Sequence, residues 1–458
     1  MKRKIEADLV AWKEKEGHKP LLVFGGRQVG KTYSITEFAK KAYSRFIYIN
    51  FEKQPEKKSI FSESLDARYL CERIQEYEGV TLDKDSVIVL DEIGCCKNAF
   101  SSLKSFAEER MIDVIASGSM LGIVLDRTKD GRISPMGFVD AMEMFPMDFE
   151  EFLWAAGVSE KLINELKTSI LEQKKIDEYL LDRISEYFRY HVIIGGMPEA
   201  VSKYIETRSY VQARKTLEDI LLILRSDMKK YNGAVGCMKI DACLGSLPRQ
   251  LASNPRFQYK DVEMKKGAME KHYATALEWL KSASILDQCN NLTEPVAPLP
   301  IRERSNSFRM YCRDTGILLS LMDYDDARRI LFREPSANLG PVMENAVASE
   351  LVKRGYPLRY YLKPNSTLEL DFVISMEGSA TAIEVKSGRS KNAKSLRTAM
   401  SGYKGLKGIK LSESNVFVDE NGILCLPLFA PCFFPCPRSE LPPMEEPGDL
   451  DLRPASHP

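Results

Sequence analysis

At 458 residues the chain is too long for one ordinary domain, and its 44% hydrophobic and 28% charged residues are those of a globular protein. A formal net charge of zero excludes a global basic footprint, so any nucleic-acid surface has to be local. Ten cysteines without a C-x-x-C pair, beside four histidines, argue against zinc and for reduced structural thiols, and no apolar run is long enough to span a bilayer.

The first residues, MKRKIEADLVAWKEKEG, alternate charge with Ile5, Leu9, Val10 and Trp12. They predict an amphipathic helix and not the apolar core of a signal peptide, so a cytoplasmic location is expected. PLLVF, residues 20–24, is a short bounded apolar run, as a buried parallel strand should be. GGRQVGKT follows at 25–32 and fits the phosphate-binding pattern G-x-x-x-x-G-K-[ST]. The candidate phosphate contacts are Gly25, Gly26, Arg27, Gln28, Val29, Gly30, Lys31 and Thr32. Glycines let backbone N–H groups approach phosphates, and the helix predicted to start at Lys31 points its positive end at the anion. The Lys31 ammonium suits the β- and γ-phosphates of ATP, and the Thr32 hydroxyl suits Mg²⁺. A chance glycine turn is the alternative; the strand before and the helix after disfavour it.

RFIYINFE, residues 45–52, predicts a second strand, and residues 55–80 a helical stretch. SVIVLDEIG, residues 86–94, is a buried strand running into two acids, the Walker-B pattern. Asp91 is expected to hold Mg²⁺ and Glu92 to act as base or water-orienting group. IDVIASGS, residues 112–119, predicts another strand ending in Ser117 and Ser119, either of which resembles the polar residue that senses the γ-phosphate at this strand end in AAA-type ATPases; a plain Ser/Gly turn is the alternative. Arg127 and Arg132 are candidates for an arginine finger acting in trans, set against ordinary surface charge.

With MEMFPMDFEEFL in place at 142–153, the run GGRQVGKT, VIVLDEIG, ASGSMLG and MEMFPMDFEEFL resembles the prokaryotic AAA-type ATP-binding protein family with a C-terminal domain of unknown function. The resemblance covers the ATPase part over about residues 1–155. It implies a doubly wound parallel sheet with ATP at the carboxyl ends of the strands. It leaves assembly into homo-oligomers open.

Residues 160–232 read as helices, interrupted by GGMPEAV at 195–201. SDMKKY, residues 226–231, resembles the family too, with Asp227 and Lys229 as interface or nucleotide-contacting groups, set against plain helix-surface charges. Residues 240–300 suggest a winged helix, with HYATALEWLKS as its second helix. The outward face of that helix mixes Lys271, His272 and Lys281 with Glu270 and Glu278, which is weak for phosphate contact. FRMYCRDTGIL, residues 308–318, predicts a strand and a turn into a helix.

Glu344 lies on a predicted helix, Asp371 on the strand LELDFVI, and Glu384 and Lys386 on TAIEVKSG. Helix acid, strand acid, then E-x-K resembles the PD-(D/E)xK nuclease core. Residues two apart leave one face of a strand, where carboxylates can hold Mg²⁺ and a lysine can orient water. The same core also persists in inactive domains. After Pro427 prolines and acids accumulate, which predicts disorder.

The expected architecture is α/β. A P-loop sheet spans 1–155, a helical lid or linker 156–235, and a winged-helix-like region 236–330. A nuclease-like α/β domain spans 331–428, and a disordered tail 429–458. The expected activity is Mg²⁺-dependent ATP hydrolysis switching a protein or DNA partner, with an ATP-gated DNA nuclease as the alternative.

Overall fold

The computed structural model describes residues 1–119, 137–253, 256–262, 269–332, 334, 340–364, 368–388 and 393–437. Arg127 and Arg132 lie outside the described residues.

The first sheet is parallel and five-stranded. It comprises β1 (Leu21–Gly25), β2 (Arg45–Asn50), β3 (Ser86–Asp91), β4 (Asp113–Gly118) and β5 (Asp140–Met144), in the order β2-β3-β4-β1-β5. The runs LLV, VIVL and VIA are buried because helices cover both faces. On one face α1 (Ile5–Glu14) and α2 (Lys31–Ala42) pack Leu9, Trp12, Ile35 and Phe38 against Leu21, Val23, Val89 and Ile115. On the other, α3 (Ala67–Glu78) and α4 (Lys97–Glu109) pack Leu70, Ile74, Leu103 and Phe106 against Leu22, Ile88 and Val114. Residues 55–80 split into a 3-10 turn, Pro55–Phe61, and α3, whose start is capped by Asp66. Parallel register aligns Asn50 with Asp91 and Val23 with Ser117, so the functional strand ends share one edge.

Helices α5 (Phe149–Ala155), α6 (Glu160–Leu171), α7 (Glu178–Ile194), α8 (Pro198–Thr207), α9 (Tyr210–Tyr231) and α10 (Ala234–Ser253) follow. Then come α11 (Glu270–Ser282), the antiparallel pair β6 (Leu286–Leu292) and β7 (Glu303–Cys312), α12 (Thr315–Ser320) and α13 (Tyr324–Leu331). The last part contains α14 (Gly340–Lys353), β8 (Arg359–Leu362), β9 (Glu369–Leu370), β10 (Phe372–Met376) and β11 (Ser379–Val385). It closes with α15 (Lys394–Gly402), β12 (Lys407–Ser412), β13 (Phe417–Val418) and β14 (Leu424–Pro427). Strands β10 to β14 form a mixed sheet in the order β10-β11-β12-β14-β13.

A third sheet, β7-β6-β8-β9, joins strands from either side of residue 330. One apolar core extends from Met147 to Phe434, and a second, with Tyr361, Leu370, Val373, Leu396 and Ala399, lies between α15 and the C-terminal strands. The expected disorder from residue 429 onward is corrected for its first part. Phe429 and Phe433 are 1% exposed, Ala430–Phe433 form a 3-10 turn, and the Phe429 ring meets Phe149 at a tilt and Phe188 edge-on. Proline content signals an irregular backbone, but three phenylalanines in this stretch bury enough apolar surface to order it. Residues 438–458 lie outside the described residues.

The joint around GGMP is tight. Met147 donates its N–H to Gly196 O at 2.7 Å, and Gly196 donates to Asp314 Oδ2 at 2.6 Å. A Cβ at Gly196 would stand 2.0 Å from Met147 O, so only glycine lets these three segments meet. Asp314 belongs to the RDTG turn and caps α12 through Ile317 N. The MFPMDFEE segment is thus held by the helical and C-terminal regions together. Glu350 accepts from Phe149 N, and Lys353 donates to Met147 O.

Candidate nucleotide-binding site

β1 delivers GGRQVGKT to the carboxyl edge of the sheet, and α2 begins at Lys31. Gly30 precedes the helix at φ +96°, in left-handed conformation. That turn leaves the first N–H groups of α2 pointing into the loop, where an anion is favoured. The Lys31 ammonium lies within this loop and donates to Gly26 O at 2.7 Å and Gly25 O at 3.2 Å. Burial pulls the Lys31 pKa down to about 8, against the opposing pull of Glu92 and Asp91.

Asp91 ends β3, buried, and collects donors. Thr32 Oγ1 donates to Oδ2 at 2.9 Å, Tyr48 OH at 2.6 Å and Asn50 Nδ2 at 3.0 Å. Ser117 donates to Oδ1. The structure therefore brings Lys31, Thr32, Asp91 and Ser117 to one point. Thr32 and Asp91 offer hydroxyl and carboxylate oxygens, the donor chemistry that suits Mg²⁺. Sequence reasoning missed Tyr48 and Asn50. The signal was their place at the end of the strand beside β3.

Glu92 takes a left-handed conformation, φ 52°, which costs a non-glycine residue roughly 1–2 kcal/mol. Burial raises its pKa, with Arg27 and Lys31 pulling the other way. Backbone strain and a raised carboxyl pKa on one residue at a strand end are features that cluster at functional sites.

Arg27 reaches out of the loop. Its Nε lies 2.6 Å from Asp227 Oδ2 on α9, and both side chains are largely buried. Within SDMKKY, Asp227 is thus a buried partner of the loop, while Lys229 is exposed. Arg3, within the N-terminal MKRK, was also missed. It is 6% exposed, donates to Val29 O in the loop and Phe145 O at 2.8 Å each, and pairs with Glu151 at 3.0 Å. A cavity of about 30 Å³ beside Gly26 and Arg27 is walled by Met197, Ser284, Arg313 and Asp314. The loop therefore faces the helical region and the β6–β7 region directly.

The second cluster expected from sequence also converges. Lys386 Nζ lies 2.7 Å from Glu384 Oε1. Asp371, between β9 and β10, accepts from Val385 N at 2.8 Å. Burial and the neighbouring Glu344 push its pKa up to about 8. Glu344 accepts from Arg309 Nη1 at 3.0 Å and from Tyr311 OH. Arg309, from β7, had no place in the sequence reading. Among the described residues no group of three or more His, Cys, Asp or Glu side chains is arranged to hold a metal ion.

Comparison with known proteins agrees with the first sheet. Residues 17–153 match the AAA domain family; 185–328 match a domain of unknown function, DUF8612, and 339–428 another, DUF4143. No curated protein matches the chain. Among solved structures, the Walker-type ATPase PABY2304 of Pyrococcus abyssi is 14% identical with a TM-score of 0.42, over 70% of this chain and 95% of that one. The ORC2 protein of Aeropyrum pernix, solved with ADPNP and ADP, is 11% identical with a TM-score of 0.37, over 72% and 92%. The STAND protein PH0952 from Pyrococcus horikoshii, with a tetratricopeptide repeat sensor, is 12% identical with a TM-score of 0.26, over 78% and 49%. Likeness this distant carries no argument. The phosphate loop and the sheet order agree with the match of residues 17–153 to the AAA domain family.

Proposed function

We propose that the chain is a Mg²⁺-dependent ATPase of AAA type that acts as a nucleotide-dependent switch on a protein or DNA partner. The observation that carries the switch is the Arg27–Asp227 pair, which ties the phosphate loop to α9. Phosphates entering the loop compete with Asp227 for the guanidinium. Binding therefore changes a contact between the ATPase unit, residues 1–155, and the regions beyond it.

Each residue has a role in this reading. The backbone of residues 25–30 and the Lys31 ammonium hold the β- and γ-phosphates. Thr32 and Asp91 hold Mg²⁺, which when bound neutralises charge on the phosphates. Glu92, raised by burial, takes a proton from water or orients it. Ser117, on the strand between β1 and β3, links Asp91 to the phosphate side of the sheet. The partner surface lies in the winged-helix-like stretch, 236–330, and the C-terminal region, 331–428. Support for the former is the order helix, helix, antiparallel strand pair.

The test is ATP binding and hydrolysis by the purified chain with and without duplex DNA. Lys31→Ala is expected to abolish nucleotide binding. Hydrolysis stimulated by DNA identifies a nucleic-acid partner, and hydrolysis indifferent to DNA a protein partner. No nucleotide binding by the unaltered chain overturns the reading.

A further inference from the structure

The carboxylates Glu344, Glu369, Asp371 and Glu384 stand at the junction of α14, β9, β10 and β11. A cation already sits among them. Arg309 Nη1 is 3.0 Å from Glu344 Oε1, its Nη2 pairs with Glu369 Oε1, and its guanidinium lies 4.4 Å from the centre of the Tyr360 ring. It is 7% exposed and also acts on the charge of Asp371. Tyr311 donates to the same Glu344 oxygen, and Lys386 takes Glu384 Oε1. Two fixed cations, Arg309 and Lys386, thus face the carboxylates. Glu384 Oε2, fully buried, has no hydrogen-bond partner.

We propose that Arg309 is the resident counter-ion of this cluster and fills the place a divalent cation would take. The donor comes from β7, outside the region that supplies the acids. The pairing therefore pins the C-terminal region to the β6–β7 pair, and the four residues of nuclease-like spacing serve as a charge lock. The wall of a cavity of about 280 Å³ agrees with this. Arg309, Glu344 and Glu369 line it together with Arg256, Phe257 and the end of α10, so the approach to the acids runs past the guanidinium.

Removing the guanidinium leaves an excess of buried negative charge and the unpartnered Glu384 oxygen, which a divalent cation can satisfy. The experiment is Mn²⁺ titration followed by electron paramagnetic resonance, without nucleotide, in a Lys31→Ala background that silences the phosphate loop. The unaltered cluster is expected to bind no Mn²⁺ at sub-millimolar concentration. Arg309→Met is expected to gain a Mn²⁺ site at least about tenfold tighter, lost again when Glu384→Gln is added, with Mn²⁺ raising the melting temperature of Arg309→Met alone. If Arg309→Met does not fold, the chain retaining Arg309 still decides the matter. Sub-millimolar Mn²⁺ binding that disappears in Glu384→Gln shows a metal site and overturns the proposal. A folded Arg309→Met without a new Mn²⁺ site overturns it as well.

Discussion

Replacing Asp227 by Asn removes the charge that holds Arg27 away from the phosphates while keeping the side chain's size. The pair is close, 2.6 Å, and poorly solvated, with side chains 21% and 8% exposed. Breaking a buried ion pair costs about 3–5 kcal/mol and an exposed pair contributes about 0–1 kcal/mol, and the partial exposure of Arg27 sets this pair between the two, at about 1.5–2 kcal/mol. ATP no longer has to displace that contact, so Asp227→Asn is expected to bind ATP about tenfold more tightly, since 1.4 kcal/mol is tenfold in affinity. The nucleotide-free variant is expected to melt lower, because the link to α9 is lost. Equilibrium titration with a fluorescent ATP analogue, alongside thermal melting with and without nucleotide, measures both. Unchanged or weaker ATP binding in a folded Asp227→Asn protein refutes competition for Arg27, and with it the switch.

Lys31 supplies a pH dependence with a definite sign. Its pKa of about 8 means that raising pH through 8 removes the ammonium that phosphates require. ATP affinity is therefore expected to fall about tenfold between pH 7 and pH 9, with proton uptake on binding above pH 8; calorimetry in two buffers of different ionisation enthalpy measures both. Phe433→Ala, at a position 1% exposed beyond the C-terminal sheet, is expected to cost about 3–5 kcal/mol in urea unfolding, whereas an unordered tail predicts no change.

The parts of this molecule legible in sequence are those whose signal is local. GGRQVGKT, VIVLDE and VIASGS each announce themselves within ten residues, and parallel register then brings Thr32, Asp91 and Ser117 together. Residues that act across the fold carry no local signal. Arg3 reads as one more charge on an amphipathic helix, yet it fastens the phosphate loop to Phe145. Asp227 reads equally well as a surface helix charge, and only the tertiary fold sets it against Arg27. The E-x-K spacing correctly puts Glu384 beside Lys386, but nothing near those residues indicates that Arg309, 75 positions earlier than Glu384, reaches their neighbours. The tail shows the converse error, where average composition masked Phe429, Phe433 and Phe434.

The most direct measurement is ATP binding and single-turnover hydrolysis, with Mg²⁺, by the unaltered chain and by Glu92→Gln. The expected result is that both bind ATP with similar affinity and that the variant turns over at least about a hundredfold more slowly, as loss of a general base entails. Equal turnover in the two proteins would contradict the assignment of Glu92 and of the hydrolytic site built around it.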